Sequence, residues 1–206
     1  MKKLLAIILC AVLIISAAAF VSCTPAGPTF SLRIEGNSEN IFYGDVALEE
    51  GMSLKDALVA FDEANDDITL TGAADDYITA VNGEIAGNFG GWDGWCIMVN
   101  GEAPSSASSE ITLFEGDEVV LYYGDPWGAG MAYPSVSGEG GKLTFTGGSF
   151  EGMKVMLGDN EYTVGANGVV ENISAGEYSL QVELFAENGL NLVYRFAPDH
   201  KITVSE

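Results

Sequence analysis

Cations, histidine and cysteine are all scarce in this chain. Eight Lys and Arg stand against 30 Asp and Glu over 206 residues, a formal charge of −22, and the few cations gather into no patch. A phosphate backbone would be repelled along the whole molecule, so nucleic acid is excluded as a partner. Histidine occurs once, at His200, with no Ser or Cys nucleophile near it in sequence, which leaves a Ser-His-Asp or Cys-His group little to be built from. Three cysteines, Cys10, Cys23 and Cys96, supply neither a disulfide framework nor a thiolate metal site. Hydrophobic residues are not scarce: they make up 48% of the chain and aromatics 10%, enough for a packed core and against intrinsic disorder.

Acid is absent from the first 22 residues. Lys2 and Lys3, the apolar run Leu4 to Ile15, and Ser16-Ala17-Ala18-Ala19 read as the charged, apolar and small-residue regions of a signal peptide. Two cuts compete. Ala17-Ala18-Ala19 suits ordinary secretion, whereas Phe20-Val21-Ser22-Cys23 looks like a bacterial lipobox whose Cys receives diacylglycerol, although Phe20 replaces the usual Leu. The lipobox is the favoured reading, because Thr24-Pro25-Ala26-Gly27-Pro28 follows as a tether; an uncleaved apolar anchor is the third. The expectation is a signal peptide over 1–22, lipid at Cys23, a tether over 23–29, and an exported protein held on the outer side of a bacterial membrane, with a secreted protein as the alternative. Without the leader, six cations face 30 acids, and the body carries −24.

The body changes texture at Asp125-Pro126-Trp127-Gly128-Ala129-Gly130, and 126–136 reads as a linker. Before it, Phe30 to Ile34 and Tyr43 to Leu48 read as strands. Ser53 is a good N-cap with Asp56 three residues on, Leu54, Ala57, Leu58 and Phe61 recur at helical spacing, and the helix should end near Ala64. Tyr77 to Val81, Trp95 to Val99 and Glu118 to Tyr123 follow as short strands, two of them closed by Asn-Gly. That order predicts an α+β β-grasp over 30–125, a sheet around one main helix. After the linker, Leu143 to Thr146, Lys154 to Leu157, Tyr162 to Val164, Glu177 to Phe185, Leu190 to Phe196 and Lys201 to Val204 read as strands, predicting a small antiparallel β-sandwich over 137–206.

Four segments carry a resemblance. They are Gly44 to Ala60, Tyr77-Ile-Thr-Ala-Val-Asn-Gly83, Gly90-Gly-Trp-Asp-Gly-Trp-Cys-Ile-Met-Val-Asn-Gly101, and Phe114 to Gly124. In that order they resemble the transcobalamin-like C-terminal domain family, a bacterial family of unknown function named for its similarity to the ligand-covering domain of vitamin B12 carriers. The resemblance implies the soluble-ligand-binding branch of β-grasp folds, with a flat, cobalamin-like organic ligand against the sheet and its loops. The tail is similar to carboxypeptidase-regulatory-like or immunoglobulin-like sandwiches through Tyr162 to Gly168 and Ala175 to Leu180.

Candidate ligand-binding residues follow from residue type. Gly91 allows close backbone approach, and Trp92 and Trp95 offer broad faces. Trp95 shares a strand face with Ile97 and Val99, so core packing is its stronger reading; Trp92 lies in the loop. Tyr122 and Tyr123 must point to opposite faces, one core and one free. Trp127, with Met131 and Tyr133, would close a cleft between domains or pack there. Cys96, mid-strand, reads as a small buried hydrophobe. The acidic cluster Asp62, Glu63, Asp66, Asp67, Asp75 and Asp76 lacks the EF-hand pattern and reads as a solvated surface. Carboxylates are too many for any one pair to indicate a glycosidase. No catalytic residue, no metal and no definite cofactor is expected. The expected function is that of a surface-anchored, non-enzymatic binding protein for a small organic ligand, or of an adhesive protein binding a protein or glycan.

Overall fold

The computed structural model describes residues 27–128 and 130–206. The signal peptide, Cys23 and the first part of the tether lie outside the described residues. Strand β1 (Thr29–Glu35) pairs antiparallel with β2 (Asn40–Ala47), with an irregularity between Ile34 and Glu35. Phe30, Leu32 and Ile34 all point to one face of β1 and are fully buried. Helix α1 (Leu54–Ala64) begins at Ser53, whose hydroxyl oxygen accepts from the Asp56 N–H at 3.1 Å. It ends at Asn65, where the backbone turns extended and the side-chain amide donates to the Phe61 carbonyl at 2.6 Å. Its buried stripe, Leu54, Ala57, Leu58 and Phe61, packs on that face of the sheet. Each buried Leu or Phe of the stripe contributes roughly 1.5–3 kcal/mol.

Three two-residue strands, β3 (Leu70–Thr71), β4 (Ala80–Val81) and β5 (Glu84–Ile85), form a small separate sheet. β6 (Gly94–Val99) and β7 (Glu118–Gly124) complete the main one in the order β2-β1-β7-β6, with β1 and β7 parallel. Beyond residue 134 come β8 (Ser135–Glu139), β9 (Lys142–Thr146), β10 (Lys154–Leu157), β11 (Asn160–Thr163), β12 (Val169–Glu171), β13 (Gly176–Glu183) and β14 (Lys201–Val204). They make two sheets, β11-β10-β13-β14 and β12-β9-β8, closing on a second core around Leu143, Met153, Val155 and Leu180.

The two cores meet across a polar seam. The second face of β1 carries Arg33 and Glu35, which are 3% and 1% exposed. Against it lies the segment Leu190–Phe196: the Arg195 N–H donates to Glu35 Oε1 at 2.6 Å, the Arg195 guanidinium donates to the Gly36 carbonyl at 2.6 Å, and Arg33 donates to the Arg195 carbonyl. Burial pushes the Glu35 carboxyl up, against the pull of the Arg33 guanidinium beside it and the Arg195 N–H. Leu190 reaches over into the first core.

The α+β expectation for the first part is overturned. Strands account for 41% of the described residues and helix for 9%, the strands lie in four sheets, and the molecule is mostly β and sandwich-like. A capped, periodic helix of eleven residues gives a strong sequence signal yet covers only one face of one sheet. The paired two-residue strands and β8 and β12 give almost none. Leu190 to Phe196 is likewise no ladder strand: it makes isolated bridges at Asn191 and Val193, and the N–H groups of Asn191 and Arg195 donate across the seam to Asn37 and Glu35.

Candidate functional site

Where β6 begins and β7 ends, Gly94 faces Gly124 across the ladder, so the loop before β6 and the turn after β7 come together. Two aspartates anchor them. Asp93 is 4% exposed; its Oδ2 accepts from the Tyr123 hydroxyl at 2.6 Å and the Phe89 N–H at 3.1 Å, and its Oδ1 accepts from the Gly91 N–H at 3.0 Å. Asp125 is 5% exposed; its Oδ1 accepts from the Gly128 N–H at 2.7 Å and its carbonyl from the Gly130 N–H at 2.8 Å. Glycine is required at Gly91, where a Cβ would lie 2.7 Å from Asp125 Oδ2, and at Gly128, where it would lie closer still. Burial alone would raise the Asp93 carboxyl, but the donors Tyr123, Gly91 and Phe89 outweigh it and hold the group below the usual carboxylate range. Desolvation and that carboxylate push the Tyr123 hydroxyl up. Asp93 is therefore a fixed acceptor that shapes the loop, with no proton to give near neutrality.

On this base stand the two most exposed tryptophans. Trp92 is 80% exposed and Trp127 is 86% exposed. Trp92 follows Gly91 and precedes Asp93; Trp127 lies between Asp125 and Gly128. Each ring is thus fixed at its root by a buried carboxylate and free at its face. Neither ring lines any of five depressions of 190 to 450 Å³ among the described residues.

The other candidates lie inside. Trp95 is 6% exposed, its ring edge-on to Tyr123 at 5.4 Å and its indole N–H donating to the Glu84 carbonyl at 2.8 Å. Tyr122 is buried as well, edge-on to Tyr194 at 4.7 Å. The expectation that one of the two adjacent tyrosines is free is corrected: the sheet is covered on both faces, by α1 on the Tyr123 side and by Tyr194 with Met131 on the Tyr122 side. Tyr133, half exposed, stacks obliquely on Tyr194. Cys96 packs in the same cluster, and burial raises its thiol. Among the described residues no group of three or more His, Cys, Asp and Glu could hold a metal, and no helix is long and apolar enough to cross a membrane.

Sequence reasoning passed over Asp93 and Asp125. A signal was available: both adjoin Gly at a strand end and stand within two residues of a Trp, in Gly91-Trp-Asp-Gly94 and Gly124-Asp-Pro-Trp-Gly128.

The molecule is mostly β and sandwich-like, with two exposed aromatic rings on glycine loops. Residues 33–125 match the family model of DUF4430, a domain of unknown function, in a family commonly described as transcobalamin-like. No curated protein and no solved structure matches the chain.

Proposed function

We propose that this is an exported, non-enzymatic binding module, tethered through lipid at Cys23, that takes a flat-faced organic ligand on Trp92 and Trp127. The observation that carries the reading is the pair of exposed indoles rooted on buried Asp93 and Asp125. A bare indole face is costly to leave in water and gains by stacking, while a rigid base spares the ligand the entropy of ordering the loops. The transcobalamin-like description of the DUF4430 domain makes a corrinoid the first ligand to try. The absence of both tryptophans from the five described depressions favours a second reading, in which the face meets a glycan or protein surface.

The test is a titration with cyanocobalamin, followed by absorbance and tryptophan quenching, in the wild type and in Trp92→Ala and Trp127→Ala. Saturable quenching that weakens about tenfold in each variant, the loss of about 1.4 kcal/mol, supports the corrinoid reading. No change at high micromolar ligand rejects it. Retention on an insoluble neutral polysaccharide, lost in the same two variants, would then carry the second reading.

A further inference from the structure

Strand β6 is an edge of the main sheet, and part of that edge is open. The Asn100 N–H donates to the Glu118 carbonyl, which places Asn100, Met98, Cys96 and Gly94 in the row that bonds β7. The main-chain groups of the alternate residues point outward. At one end of this outer row Val99 exchanges hydrogen bonds with Glu102, at 2.9 and 3.1 Å, and at the other the Asp93 carbonyl accepts from the Gly87 N–H at 2.9 Å. Between them, the N–H and C=O groups of Trp95 and Ile97 meet no partner among the described residues. A strand edge left open is a template for another strand, and folded proteins ordinarily cover it.

The gap borders a cavity of 190 Å³ whose lining includes Ile78, Trp95, Ile97, Pro104 and Ala107. Its wall is apolar where the side chains of Trp95 and Ile97 turn toward the first core, and Tyr77 stands at its margin, 61% exposed. Acidic residues adjoin its lining in sequence, and the one that lines it, Asp76, is paired with Lys55. Asp75 precedes the Asp76–Ile78 wall, Glu102 closes the edge at Val99, and Glu110 follows the Ser106–Ser108 wall; all three are exposed and none is in an ion pair among the described residues. A second copy of so acidic a chain would be repelled here, and a cationic segment drawn in.

We propose that the β6 edge at Trp95 and Ile97 receives an extended, Lys- or Arg-bearing peptide segment of another protein as an added antiparallel strand. Residues of that segment opposite Trp95 and Ile97 share their side-chain face, so small branched aliphatic side chains there enter the cavity while about four main-chain hydrogen bonds close the gap. Flanking cations meet Asp75, Glu102 and Glu110.

The probe is fluorescein-labelled Lys-Thr-Val-Thr-Val-Thr-Lys, titrated with the protein and followed by anisotropy. Saturable binding is expected. It should weaken tenfold or more when the two valine amides, which face β6, are N-methylated, and stay within twofold when the amide of the central threonine is methylated instead. Glu102→Gln with Glu110→Gln should weaken it about fivefold at low salt and little at high salt, because exposed charges are screened. Ile97→Pro removes an outward N–H without touching the β7 ladder and should abolish binding; its folding is checked by circular dichroism, and if it unfolds, the methylated peptides still decide. No saturation up to about 1 mM protein overturns the proposal. Equal binding of the valine-methylated peptide overturns it too, as does a dimer in sedimentation that the peptide fails to dissociate.

Discussion

Asp76 holds a backbone conformation that side-chain-bearing residues seldom adopt, with φ at 59°. Its surroundings explain why it stays. Its Oδ1 accepts from the Ser108 hydroxyl at 2.8 Å and the Ser109 N–H at 2.6 Å, and Lys55 Nζ lies 3.4 Å from Oδ2. The Ser108 and Ser109 donors, with Lys55 adding to them, hold the carboxyl down from 3.8 to about 2. A depressed acid stabilises the fold fully above its unfolded value and loses that contribution as pH falls through the folded one. Wild type and Asp76→Asn should therefore differ in urea stability at pH 5 and converge near pH 2; parallel pH dependences would refute the contact's role. From the sequence Asp76 reads only as solvated surface, because its partners lie 21, 32 and 33 residues away. The tryptophans were more legible: alternation alone turned Trp95 inward and left Trp92 in a loop.

The segment Leu190–Phe196 shows where periodicity misleads at the scale of an element. Its apolar alternation matches a half-buried strand, yet Asn191, Val193 and Arg195 are as buried as Leu190 and Tyr194. Both sides are covered because the segment lies between two cores, a circumstance no local pattern encodes. Helix α1 is the opposite case: its limits were readable because Ser53 and Asn65 fix them through bonds within four residues. Across the seam, Arg195→Ala would remove the donors to Gly36 and Asn37 and one of the two guanidinium groups beside Glu35, which would keep Arg33 and the main-chain N–H of residue 195. Loss of one partner from a buried charge cluster costs about 3–5 kcal/mol. Urea unfolding should register that loss, and a change under 1 kcal/mol, typical of a surface pair, would show that the seam bears little stability.

For the whole molecule, charge and anchor belong together. A body at −24 is repelled by anionic headgroups, so membrane attachment would depend on the lipid alone. Cys23→Ala should release the protein from the membrane fraction into the medium, and unchanged partitioning refutes the lipid anchor. The Pro28 carbonyl accepts from the Leu48 N–H at 2.9 Å, so the tether would leave the body at the start of β1. The bond between Glu35 and Arg195 spans 160 positions, and Leu190 belongs to the core built by the first strands. Synthesis runs from the other end. The opening domain must therefore wait, with Glu35 facing Arg33 alone and one side of its sheet uncovered, until residue 196 has emerged, and a nascent chain stalled before residue 190 would be prey to proteases.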